Sequence, residues 1–220
     1  MSLHQQDYLL SANKYKLPES INESPGISLG ENLVKSVLLS TDLSYIQNLS
    51  ADAVMTVHPF DKSNKLDKVI IEFSRKPVIC DIGGGLLSEE RSIRLATGAF
   101  EAGASALVLT KPTPAEIVAR IRSEVDGPLI YTVMFDAEDI KALDQAGVDI
   151  FNISTGEFTP ETVANVRELV PNSVIMANGG PHDSTIRATI ETGAEAIVFN
   201  PPTATEILRS IFDNYRNNID

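Results

Sequence analysis

Eight short apolar runs, regularly spaced and almost uninterrupted by polar residues, constrain this chain more than any other feature. They are Val34–Leu39, Ala53–Val57, Val78–Asp81, Ala106–Leu109, Leu129–Val133, Ile150–Ile153, Val174–Ala177 and Ala196–Phe199. Each is short and rich in Val, Ile and Leu. Continuous apolarity, as opposed to strict alternation, is what a strand buried on both faces shows. Amphipathic stretches separate the runs, several with recognisable starts. Ser88-Glu-Glu, Thr113-Pro-Ala-Glu, Asp136-Ala-Glu-Asp and Thr159-Pro-Glu each place a capping side chain ahead of acidic first-turn residues. Ala102-Gly103-Ala-Ser-Ala, Ala146-Gly147-Val-Asp and Thr192-Gly193-Ala-Glu-Ala recur about two strand–helix units apart. Each puts a glycine where a helix C′ residue takes the left-handed conformation. Eight strands with a helix after each predict an α/β fold, and within it a closed parallel (β/α)8 TIM barrel over 34–220.

Residues 1–33 do not follow this alternation. Pro18, Pro25, Gly26 and Gly30 among Ser, Asn and Glu predict an irregular N-terminal arm lying on the barrel, with one short helix near Asp7–Asn13. The N-terminus lacks a basic start and a continuous apolar stretch, so no targeting peptide is expected. No run approaches the roughly 20 apolar residues a membrane helix needs. A single cysteine, Cys80, cannot form an internal disulfide and fits a reducing cytoplasm. The formal net charge of −12 carries no compensating Lys/Arg cluster, which argues against nucleic acid as a partner. Nothing in the sequence fixes the oligomeric state; a homo-oligomer is compatible with it.

In such barrels the loops that follow the strands carry function. Asp81 and Lys111 end the third and fourth strands and are expected to meet over the mouth. The lysine there can neutralise an anionic ligand, stabilise an enolate-like charge or form an imine. A structural ion pair is the competing reading, and a neighbouring Asp disfavours the imine. His58, after the second strand, is a candidate acid or base, and Asn152, ending the sixth strand, a further candidate catalytic residue. Gly84, within Gly83-Gly84-Gly85, offers backbone amides to a ligand. Asn178, Gly179 and Gly180 after the seventh strand, with Asn200 and Thr203 after the eighth, occupy the usual phosphate position. Pro201 and Pro202 donate no N–H there, so half of that cradle is altered. No His, Cys or carboxylate spacing implies a metal, and no cofactor fingerprint is present.

Val78–Val198 resembles aldolase-type, phosphate-binding barrels. More narrowly it resembles the glycerol-3-phosphate-responsive antiterminators. The resemblance rests on Cys80-Asp81-Ile-Gly-Gly-Gly-Leu86, Leu109-Thr-Lys111, Ile130–Asp136, Thr155-Gly156 and Asn178-Gly-Gly. It implies that Asp81, Lys111, Gly179 and Gly180 surround a ligand. The end of the eighth strand lacks the small polar residues of that pattern, and the acidic chain is ill suited to RNA. Together these observations predict an isomerase, epimerase or aldolase-type lyase acting on a small anionic, phosphorylated or carboxylated metabolite. The alternative is a metabolite-sensing barrel without chemistry.

Overall fold

The computed structural model describes residues 17–85, 87–110, 112–135, 138–180 and 182–217. The expected helix near Asp7–Asn13 lies outside them. A two-stranded hairpin comes first, β1 (Ile27–Leu29) and β2 (Asn32–Val34), paired antiparallel. Eight further strands follow: β3 (Ser36–Leu39), β4 (Ala53–Thr56), β5 (Val78–Asp81), β6 (Ala106–Leu109), β7 (Leu129–Val133), β8 (Ile150–Ile153), β9 (Val174–Asn178) and β10 (Ala196–Phe199). They close into one parallel barrel, β10 pairing with β3 on one side and β9 on the other. Helices α1 (Leu43–Asn48), α2 (Asn64–Phe73), α3 (Glu89–Glu101), α4 (Ala115–Arg122), α5 (Ile140–Gln145), α6 (Thr159–Leu169), α7 (Asp183–Glu191) and α8 (Ala204–Asn217) follow β3 to β10 in turn. The chain is a (β/α)8 TIM barrel.

The apolar runs bury both faces, as their composition requires. Outward residues such as Leu38, Val54, Leu107 and Phe151 pack beneath the helices, while inward ones such as Met55, Ile79, Ile130 and Met176 fill the barrel. Small inward residues open three strands, Ala53, Ala106 and Ala196, and belong to the same cluster as Ile27, Leu29 and Val34 of the hairpin. The hairpin therefore plugs the N-terminal end of the barrel. Gly26 anchors it by donating its N–H to the Glu195 carbonyl at 2.7 Å. The first predicted strand, Val34–Leu39, is thus two strands. Val34 ends the hairpin, and the barrel strand starts at Ser36, where Asp52 accepts from the N–H groups of Lys35 and Ser36, both at 3.0 Å.

Helix boundaries follow local chemistry. Ser88 caps α3 by accepting from the Arg91 N–H, as expected. Thr113 does not cap α4; Pro114 holds that position, and the Thr113 hydroxyl accepts from the Gly85 N–H. Asp139 caps α5, the candidate Asp136 lying outside the described residues. Thr159 is the first residue of α6, with Phe158 before it. Gly103, Gly147 and Gly193 all take positive φ, 101°, 96° and 115°, one residue beyond their helices' caps. Helix α8 buries no residue among those described, and Leu208 and Phe212 are exposed along it. No helix among the described residues is long and apolar enough to cross a membrane.

Candidate functional site

A parallel barrel sends alternate residues of every strand inward, so the last inward residue of each strand lines the C-terminal mouth. Here that layer is polar from β5 to β9, where the layers below it are aliphatic, while Leu39 on β3 and Val57 just past β4 are apolar. Asp81, Thr110, Thr132 and Asn152 are all buried, and Asn178 is half-buried. They are joined by side-chain hydrogen bonds. The Thr110 hydroxyl donates to Asp81 Oδ1 at 2.9 Å, and the Asn152 amide donates to Thr132 Oγ1 at 3.2 Å. The Asn178 amide donates to Ser154 Oγ at 3.1 Å.

Asp81 is at the centre of this layer. Its Oδ1 also accepts the Gly83 N–H at 2.8 Å, and its Oδ2 pairs with the Lys62 ammonium. The side chains are 1% and 9% exposed respectively, so the ion pair is buried. Lys111, the partner expected from the sequence, lies outside the described residues. Lys62 was not singled out, because it sits in the polar β4–α2 loop where no periodicity indicates a direction. It is positioned by two further contacts. Its ammonium donates to the His58 carbonyl at 2.6 Å, and its own carbonyl accepts from Arg91 at 3.0 Å. Two of its three ammonium hydrogens are thereby occupied by described residues.

His58 stacks on Phe60, with ring centroids 6.2 Å apart, and its buried Nδ1 has no hydrogen-bond partner among the described residues. Behind the barrel wall, Thr56 donates to the buried carboxylate of Asp67 on α2 at 2.6 Å. Burial raises the Asp67 pKa above its ordinary value and outweighs the lowering effects of the Thr56 hydrogen bond and of His58. Burial also pushes the Cys80 thiol well up, with Asp67 adding to the effect, so Cys80 is a packed thiol without nucleophilic character.

The glycines have backbone explanations. A Cβ on Gly85 would stand 2.0 Å from the Pro112 carbonyl oxygen, so only glycine fits against that backbone; Gly84, one residue before it, is buried. A Cβ on Gly179 would meet Ile186 and Ile197, both at 2.8 Å, while exposed Gly180 takes φ +75° before α7. Gly179 and Gly180 border a cleft of about 420 Å³ with Ser154, Asn178 and Thr185; among the described residues, Glu157 is the one charged residue lining it. Thr203 departs from the expectation. Its N–H and hydroxyl donate to Glu206 Oε2, at 2.7 and 2.9 Å, in a capping box. A carboxylate thus occupies the place expected for a bound anion, and these contacts lower the Glu206 pKa. Asn200 is exposed and Pro201 buried.

Among the described residues no three His, Cys, Asp or Glu side chains converge as metal ligands, and the Asp81 oxygens are committed to Lys62, Thr110 and Gly83. These residues do not form a carboxylate metal site.

No protein-family model and no curated protein matches the chain, so the narrower likeness to antiterminators finds no support. Solved structures do match. A 2,3-dimethylmalate lyase, described as a PEP mutase/isocitrate lyase superfamily member, aligns with TM-score 0.64 at 14% identity, over 94% of this chain and 88% of its own. A phosphonopyruvate hydrolase complexed with oxalate and Mg++ aligns with TM-score 0.65 at 14% identity, over 96% and 87%. A phosphoenolpyruvate phosphomutase from Streptomyces platensis subsp. rosaceus aligns with TM-score 0.63 at 11% identity, over 94% and 85%. At this identity the likeness establishes the (β/α)8 barrel, nearly end to end.

Proposed function

We propose that this barrel is an enzyme acting at its C-terminal mouth on a small anionic metabolite, by isomerase, epimerase or lyase-type chemistry. The observation that carries the proposal is the buried Lys62–Asp81 pair set among Thr110, Thr132, Asn152 and Asn178. A polar layer at the working end of an otherwise aliphatic barrel adds little stability that an apolar layer would not, so its placement there supports a ligand-binding role. The proteins that share the fold are named for reactions on carboxylates and phosphonates, which supports an anionic substrate.

In this reading Lys62 supplies positive charge to a carboxylate, phosphate or developing enolate. Asp81 holds that ammonium in place, and its committed oxygens make it a positioning residue, not a base. His58, whose buried Nδ1 has no partner among the described residues, is the acid–base candidate. Asn152 holds the substrate's polar atoms, and Lys111, at the end of the adjacent strand, contributes a second cation.

The test is a turnover screen of oxaloacetate, phosphonopyruvate and 2,3-dimethylmalate, with and without Mg2+, alongside other 2-oxo and 2-hydroxy acids and their phosphates. Turnover of a member of this class, lowered at least about 100-fold in His58→Ala with folding intact, supports the reading. Binding at the mouth with no turnover across the set would instead make the barrel a metabolite sensor.

A further inference from the structure

The β7–β9 side of the mouth has a hydrogen-bonding pattern that the anionic group of a substrate does not satisfy. Asn152 on β8 is fully buried, and its Oδ1 has no partner among the described residues; the buried Oδ1 of Asn178 on β9 has none either. Leaving a buried amide oxygen without a donor is unfavourable, and native proteins rarely tolerate two neighbouring cases unless something else supplies the donors. Each amide spends one N–H on a hydroxyl, Asn152 on Thr132 and Asn178 on Ser154. Those hydroxyls act as acceptors and so keep their own protons to give away. The wall thus presents amide oxygens that accept, and hydroxyl and amide hydrogens that donate.

Ligand chemistries can be sorted against this wall. A carboxylate or phosphate only accepts, and would face the two amide oxygens. An ammonium only donates, and would face the hydroxyl and amide hydrogens. A hydroxyl group does both. The adjoining cleft of about 420 Å³, bordered by Ser154, Asn178, Gly179, Gly180 and Thr185, carries no Lys or Arg among the described residues of its lining, so none of these compensates an anion. The ammonium of Lys62 belongs instead to the Asp81 carboxylate on β5, across the barrel.

We infer that Asn152 and Asn178, with Thr132 and Ser154, bind the hydroxyl groups of the substrate, and that the substrate is therefore a polyhydroxylated acid or a polyol phosphate. The inference rests on the reading of the mouth as a small-molecule site and adds which molecules it selects. The anionic end lies toward Lys62 and the hydroxyl-bearing carbons toward β8 and β9.

Matched ligands isolate the hydroxyl contribution, because charge cancels within each pair. Tartrate and succinate differ only in two hydroxyls, and so do glycerol 3-phosphate and propyl phosphate. Affinities for the four, and for erythritol as an uncharged polyol, are measured by titration calorimetry on the full chain. The hydroxylated member of at least one pair should bind about tenfold or more tightly than its partner, and Asn152→Ala and Asn178→Ala should move that ratio toward one. The wild-type ratio is the primary reading, so a variant that fails to fold does not remove the test. Equal affinity within both pairs overturns the inference while leaving the anionic site standing. It would mean that the amides present their N–H groups to the ligand. Erythritol binding without any of the anions supports the hydroxyl site and refutes the anionic reading. Hydroxyl-dependent binding without turnover of any related substrate sustains this inference and refutes the enzyme. No binding by any of the five overturns it.

Discussion

Replacing Lys62 with methionine removes one partner of a buried ion pair and keeps most of the side-chain volume. The two side chains are 9% and 1% exposed, so solvent screening is slight, and breaking such a pair costs roughly 3–5 kcal/mol. Asp81 keeps the Thr110 hydroxyl at 2.9 Å and the Gly83 N–H at 2.8 Å, which places the cost at the lower end, about 3 kcal/mol. In a domain of this length each kcal/mol moves the melting temperature by about 2–4 °C, so Lys62→Met should melt about 6–12 °C below the wild type. Equilibrium urea unfolding and calorimetry on the same preparations measure the change. Adding Asp81→Asn to Lys62→Met removes the stranded charge and keeps an oxygen for Thr110 and Gly83. That double variant should recover most of the loss. A single variant within about 1 kcal/mol of the wild type would refute the reasoning, since that is the range of a solvated surface pair.

Three other outcomes follow from the same structure. Leu29→Ala should cost about 2–5 kcal/mol by urea unfolding, because Leu29 is fully buried in the plug at the N-terminal end of the barrel; a loss below 1 kcal/mol would show that the hairpin only rests on the surface. Asp67 has a raised pKa in the folded state, so the native chain binds more protons than the unfolded one from about pH 3.8 upward, and stability falls as pH rises through that window. Asp67→Asn should match the wild type at the acid end and gain on it toward pH 7, and urea midpoints that diverge the opposite way would contradict this. With net charge −12, generic RNA should show no micromolar binding at physiological salt in a filter assay, and salt-sensitive retention would overturn that expectation.

The barrel was legible because a doubly buried strand leaves a compositional trace and a helix C′ glycine leaves another. Asp81, Asn152 and Asn178 were legible for a related reason: a polar residue closing an apolar run has to face the mouth or be stranded. The hairpin was less so, since its three buried side chains are spaced too closely to separate from the strand after them, and Val34 was read into β3. The capping box at Thr203 was not legible, because it depends on Glu206 three residues on, whose carboxylate competes with any external anion. Lys62 left no trace, because the direction of a loop cation is set by tertiary contacts, here the His58 carbonyl and Arg91.

The central claim is that the mouth between Lys62 and Asn178 holds a small hydroxylated anion. It is tested most directly by a crystal structure of the protein with tartrate or glycerol 3-phosphate, whichever binds more tightly. The account predicts the anionic group within hydrogen-bond distance of Lys62 Nζ and hydroxyls at the amide oxygens of Asn152 and Asn178. Density for the compound outside the barrel mouth, with both amide oxygens still unpartnered, would contradict it.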